Sequence, residues 1–125
     1  MPLKTHYSEI PAYVTRDGST IRELMHPRVH GNRHQSLAEA TIPTACRTLP
    51  HRHCESEEIY HILSGEGLMT LGSERLRVGP GDTLCIPPGT IHWIENTGAG
   101  PLRILCACSP PYAHADTELL GPGQP

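Results

Sequence analysis

The sequence predicts an all-β chain, a sandwich or barrel built from about ten short strands. Three observations carry that expectation. The apolar runs are short, and glycine and proline, about a fifth of the chain, punctuate them at close spacing. No window of eleven or more residues has helical periodicity. With no Phe and a single Trp, the core must be aliphatic, which suits β-branched strand residues.

The elements follow in order. Arg16, Asp17, Gly18 and Ser19 form a turn signal that leads into a strand at 20–25. Residues 26–34 hold three His, two Arg, a Pro and a Gly without periodicity and read as a loop. A strand at 35–42 is stopped by Pro43, and a further run at 45–49 leads into Pro50. A compact apolar strand at 57–63 ends at Ser64-Gly65-Glu66-Gly67. Residues 68–71 and 74–78 flank Gly72-Ser73, the mark of a hairpin with a two-residue turn. Strands at 83–86, 91–95 and 102–108 are then separated by Pro87-Pro88-Gly89 and by a turn at 96–101. Beyond Pro110 and Pro111 the tail is expected to be extended or frayed.

At 125 residues the chain fits one domain. The boundaries expected within it are N-terminal strands and loop at 1–34, a barrel at 35–110 and a C-terminal tail at 111–125. A net charge of −3 and the lack of a Lys/Arg cluster argue against a nucleic-acid partner. No apolar run resembles a signal peptide or a membrane span, so a soluble, cytoplasmic protein without a membrane partner is expected. Five Cys, an odd number lacking a CxxC pair, fit neither a disulfide framework nor a zinc ribbon. Reduced, mostly packed thiols are expected.

Nine His stand out, because imidazole is the commonest metal ligand. His51 and His53 are two apart, so an extended backbone sends both side chains from one face. Glu58 follows after a break, and period two then places Glu58, Tyr60 and Ile62 together. Glu57, its neighbour, has the opposite parity. His92 follows the Pro87-Pro88-Gly89 turn, at the start of the next strand, and can close the group from the opposite sheet. Three imidazoles and a carboxylate suit one divalent transition metal ion, Fe, Mn, Ni, Co or Zn, with up to two positions open for substrate.

The glycines and prolines around these residues form a pattern. His51-x-His53-x4-Glu58-x6-Gly65 is followed by Gly81-x5-Pro87-x-Gly89-x2-His92-x3-Asn96. Together they resemble the two motifs of the cupin superfamily, and the short segment 66–80 between them is similar to that of small microbial single-domain cupins. The resemblance covers about residues 35–108. It implies a jelly-roll β-barrel of two antiparallel sheets with His51, His53, Glu58 and His92 as metal ligands. One departure is Ala45, where the family has a turn glycine six residues before the HxH.

Around the ion, Tyr60 and Glu58 are the candidate catalytic groups. Arg47, Ile62 and Ile94 are candidates for substrate contact, with Leu84 and Ile86 completing an aliphatic wall. His61 should leave the barrel, His26, His30 and His34 should be polar loop residues, and Cys106 and Cys108 should share one buried strand face. The leading functional expectation is a metal-dependent oxidoreductase or dioxygenase that binds a small organic metabolite directly to the metal. An isomerase, lyase or decarboxylase acting on a sugar or small carboxylate is the second, and a non-catalytic metal- or ligand-binding protein the third. A homodimer is expected, because outward Ile59 and Leu63 need cover, with residues 1–25 the segment expected to cross between subunits.

Overall fold

A computed structural model describes residues 2–120. The expected fraying at 121–125 lies outside the described residues. Eleven strands among the described residues form two antiparallel sheets. The first sheet runs β1 (Tyr13–Val14), β2 (Thr20–Met25), β3 (Ser36–Ile42), β10 (Leu102–Ser109), β5 (Glu57–Ser64) and β8 (Thr83–Ile86). The second runs β11 (Thr117–Leu119), β4 (His51–His53), β9 (His92–Asn96), β6 (Gly67–Leu71) and β7 (Glu74–Val78). Strands from distant parts of the sequence alternate in both sheets, which is the jelly-roll arrangement. No helix among the described residues is long and apolar enough to cross a membrane.

Strict alternation governs which side chains turn inward. In β5, Glu58, Tyr60 and Ile62 are buried while Glu57, Ile59 and Leu63 are exposed. In β10, Leu102, Ile104, Cys106 and Cys108 are buried, and in β9 His92, Ile94 and Asn96. The aliphatic core that results is centred on Ile42, Ile62, Met69, Ile86, Ile94, Leu102 and Ile104. Two turns hold the sheets in register. Gly72-Ser73 makes the two-residue hairpin between Leu71 and Glu74. Asn96 donates to the carbonyls of Ile42 and Gly100 and accepts from Gly98 N–H, which closes the turn before β10.

Several expectations need correction. Residues 26–34 are not all loop, since Pro27–His30 form one helical turn, α1. Pro27 begins it, the His26 ring caps it by accepting from Arg28 N–H, and Gly31 at φ 91° ends it, so four residues suffice without room for a periodic pattern. Nor is His26 a surface residue. It is buried, and its Nε2–H donates to the Tyr112 carbonyl at 2.7 Å. The run at 45–49 is no strand and offers only one bridge, Arg47 to Glu95. The tail, read as extended or frayed, is ordered through Leu120: β11 pairs with β4, and Asp116 accepts from the amides of Glu55 and Ser56. The thiols are not mostly packed, because Cys46, Cys54 and Cys85 are exposed and only Cys106 and Cys108 are buried.

The departure at Ala45 has a physical counterpart. Ala45 is the one non-glycine residue among the described residues with positive φ, 64°, in the turn where Cys46 N–H bonds the Pro43 carbonyl. A Cβ in the left-handed region costs about 1–2 kcal/mol. Ala45→Gly is therefore expected to stabilise the protein by about 1 kcal/mol, after the loss of chain stiffness in the unfolded state is subtracted. Urea unfolding checks this; a midpoint that moves down would contradict the strain.

Candidate metal centre

Strand β4 lies between β9 and β11, and the pairing of His51 with His92 sets two imidazoles side by side across the ladder. His53 leaves the same face of β4, and Glu58 enters from the facing sheet on β5. The ring nitrogens of His51, His53 and His92 lie within 4.8 Å of one another, and all three residues are buried. His53 Nε2 is 3.1 Å and His92 Nε2 3.6 Å from Glu58 Oε1. Of the expected ligand set, the histidines thus form one tight cluster, with Glu58 against two of them.

Each ring is oriented from behind. His51 Nδ1 donates to the Leu49 carbonyl at 2.7 Å and His92 Nδ1 to the Thr90 carbonyl at 3.0 Å. His53 Nδ1 meets Thr117 Oγ1 at 3.0 Å, and that hydroxyl donates to the Ala113 carbonyl, so it accepts from the ring. With Nδ1 bonded outward in every case, the Nε2 atoms face the centre, and each ring in its neutral form directs a lone pair there. His92 Nε2 is buried without a hydrogen-bond partner, a costly state for a polar atom. The residues therefore fit a transition metal ion: soft-to-borderline nitrogen donors with their lone pairs converging, and a carboxylate beside them. Cys108 Sγ–H donates to Glu58 Oε2 at 3.3 Å, which leaves Oε1 to face the imidazoles.

The electrostatics agree with this division. Burial raises the Glu58 carboxyl, yet the hydrogen bond from His53 and the nearby His92 imidazole outweigh it and hold the group down at about 2. Burial, helped by His92, lowers His51 to about 4. Burial also acts to lower His53, but the bond to Glu58 and its charge prevail and raise it. Burial raises the Tyr60 phenol and both inner thiols, so they stay neutral.

His51, His53 and Glu58 line a cavity whose empty space, open mouth included, is about 600 Å³. Tyr60 and Ile94 line it, with Ile21, Ala38, Ala40, Ile42 and Ile104. Ile62 does not line it; it is wholly buried in the core, as are Ile86 and, in part, Leu84. The aliphatic wall comes instead from β2, β3 and β10. Arg47 is exposed and also outside the cavity. Its placement assumed a regular strand through Pro50; the chain breaks there, and Thr48 takes the inward place. Sequence reasoning missed Thr117, Tyr112 and the whole hairpin at 13–23, whose odd-numbered residues line the cavity. That period-two pattern was present in the sequence, but its inward face is largely polar.

A jelly-roll barrel with an inward cluster of three histidines defines the class. The cupin domain family model matches residues 38–108, and the chain belongs to that family. An uncharacterised protein of Methanocaldococcus jannaschii is 56% identical over 118 residues, 94% of each chain. Among solved structures, the polyketide cyclase RemF of Streptomyces resistomycificus superposes with a TM-score of 0.76 at 25% identity, covering 87% of this chain and 80% of that one. A predicted oxalate decarboxylase of Thermotoga maritima gives 0.74 at 25% identity, covering 87% and 98%.

Metal affinity should rise as pH climbs past the ordinary imidazole value, because a proton held by His53 against Glu58 must leave when an ion binds. The sign follows from the raised His53: its proton stabilises the metal-free fold below the unfolded value, and that contribution fades as pH rises through the raised one. Thr117→Val should weaken binding by about 10–100-fold across that pH change by freeing the His53 ring. Calorimetric titrations in buffers of different ionisation heat read both effects, and affinity independent of pH would contradict the proton's placement.

Proposed function

We propose that this cupin is a metal-dependent enzyme that converts a small organic substrate by non-redox chemistry: isomerisation, cyclisation, or elimination of water or carbon dioxide. One observation carries the reading. Three imidazoles and Glu58 Oε1 gather beside an open-mouthed cavity that His51, His53, Glu58 and Tyr60 line. His51, His53, His92 and Glu58 would hold a divalent Fe, Mn, Ni, Co or Zn ion, which supplies a Lewis acid to polarise a carbonyl or hydroxyl oxygen. The names of RemF and of the Thermotoga protein, a cyclase and a predicted decarboxylase, support chemistry of this kind on the scaffold.

The chain's other groups divide the remaining work. Glu58, held at about 2, is a ligand and not a proton donor near neutral pH, which narrows the catalytic role expected of it. Tyr60 is buried two residues along the same face, its ring centroid 6.0 Å from that of His92. As a neutral phenol it can donate to an oxygen on which negative charge develops. Ile42, Ile94 and Ile104 keep bulk water from that side of the cavity.

The dioxygenase reading uses the same donor set, and the inner thiols count against it. Cys106 and Cys108 line the cavity, one of them bonded to Glu58 itself. Oxygen activated there would meet these thiols first. On the outer face of the six-stranded sheet, Leu37, Ala107 and Ile59 fall in one cross-strand row, and we assign a homodimer contact to this row.

Metal-loaded protein incubated with a cell metabolite extract, with and without oxygen, should consume a compound whose product has equal mass or has lost water or carbon dioxide. Tyr60→Phe should slow that conversion by about 10–100-fold while keeping one ion per chain. Oxygen-dependent turnover with a gain of oxygen mass, read by mass spectrometry, would return the site to the dioxygenases.

A further inference from the structure

Resting on that reading, we infer that the hairpin at 13–23 makes the cavity a site for substrates carrying a cationic or hydrogen-bond-donating end, and one that rejects anions. Its odd-numbered residues, Tyr13, Thr15, Asp17, Ser19, Ile21 and Glu23, all line the cavity. The even-numbered positions carry the hairpin's basic residues, and both are engaged elsewhere. Arg16 donates to the carbonyls of His114 and Thr117, while Arg22 donates to the Ile10 carbonyl and stacks on Tyr7. Period two thus sorts the hairpin's charge: acids inward, bases outward.

The inward acceptors are incompletely used. Asp17 Oδ1 takes both the amide and the hydroxyl of Ser19, at 2.9 and 2.6 Å, which fixes the carboxylate. Its other oxygen, Oδ2, stands 3.6 Å from His51 Nε2 at the edge of the histidine cluster. Glu23 Oε1 accepts from Tyr13 OH at 2.9 Å, but Oε2 is buried with no hydrogen-bond partner. A buried carboxylate oxygen lacking a donor is unfavourable by itself and favourable once a ligand N–H or O–H reaches it.

No Lys or Arg is among the described residues that line the cavity. Arg28 lies outside the cavity, in an adjoining outer groove that shares Tyr13, Glu23 and Tyr112 with it, and forms no ion pair with Glu23 among the described residues. Even with a divalent ion at the histidines, the carboxylates of Glu58, Asp17 and Glu23 bring the net charge of the cavity below zero. A carboxylate or phosphate on the substrate would find no side-chain cation there, only the ion. An ammonium group or a set of hydroxyls would find Asp17, Glu23 and the hydroxyls of Ser19 and Ser36. The substrate class is therefore an amine or a neutral polyol or phenol that reaches the ion through oxygen at its other end, which narrows the proposed chemistry to isomerisation, cyclisation or loss of water.

The test uses three probes that share one metal-binding head and differ in the charge of the tail: dopamine, 4-methylcatechol and 3,4-dihydroxyphenylacetate. Each is titrated anaerobically into Co(II)-loaded protein, with the visible d–d bands reporting arrival at the ion and calorimetry giving the dissociation constant. Dopamine should bind about tenfold tighter than 4-methylcatechol, and 3,4-dihydroxyphenylacetate about tenfold weaker. In Glu23→Gln and Asp17→Asn, with Co(II) content checked, this spread should shrink toward unity. If all three probes shift the d–d bands with equal affinity, or the anion binds tightest, the inference is overturned while substrate binding at the ion stands. If none perturbs the bands, both fail together.

Discussion

Burying three imidazoles with their lone pairs turned toward one point is the constraint on which the rest of the molecule depends. An imidazole in a dry interior needs partners at both nitrogens, and here the outer nitrogen of each ring is satisfied by a fixed oxygen: Leu49 O, Thr90 O or Thr117 Oγ1. Those oxygens are backbone or strand-end groups, so the ring directions are set by the sheet itself. The inner nitrogens are left to Glu58 and to the divalent ion proposed for the site. Glu58 is in turn steadied by Cys108 on β10, so both sheets contribute to one centre.

The cavity follows from the same geometry. Because β4 turns His51 and His53 inward and β9 turns His92, the adjoining inward positions of β9, β3 and β10 are left to small or aliphatic residues, and Ile94, Ala38, Ala40 and Ile104 supply this. The tail completes the site from outside the barrel core. Asp116 fixes the turn at 54–56, β11 pairs with β4, and Thr117 then stands behind His53. Tyr112 packs edge-on against the His53 ring at 5.7 Å, anchored by the His26 contact to its carbonyl. Residues far apart in sequence thus converge on a single imidazole.

Much of this was legible in the sequence because alternation is a local property. Once β5 is recognised as a strand, Glu58, Tyr60 and Ile62 must face together and Ile59, His61 and Leu63 must face away, whatever lies beyond. The Gly and Pro spacing around His51, His53, Glu58 and His92 added the register between strands. What escaped is physically distinct. The hairpin at 13–23 turns Thr15, Asp17, Ser19 and Glu23 inward, so its polar face is the buried one, and a pattern read for apolar residues inside points the wrong way. The three-residue β11 follows two prolines and is held by contacts with residues about 60 positions away, which no local signal encodes. Arg47 was misplaced for a related reason: parity cannot be carried across Pro50, where the strand is broken.

X-ray absorption at the metal edge of protein purified without a histidine tag tests the central claim most directly. The account predicts one divalent transition metal per chain, with imidazole scattering from three rings and nitrogen or oxygen neighbours at about 2.1 Å. A sulfur shell at about 2.3 Å would place a thiolate in the coordination sphere and contradict the hydrogen-bonding role assigned to Cys108. So would a chain that takes up no ion at all, since the converging lone pairs would then be without a purpose.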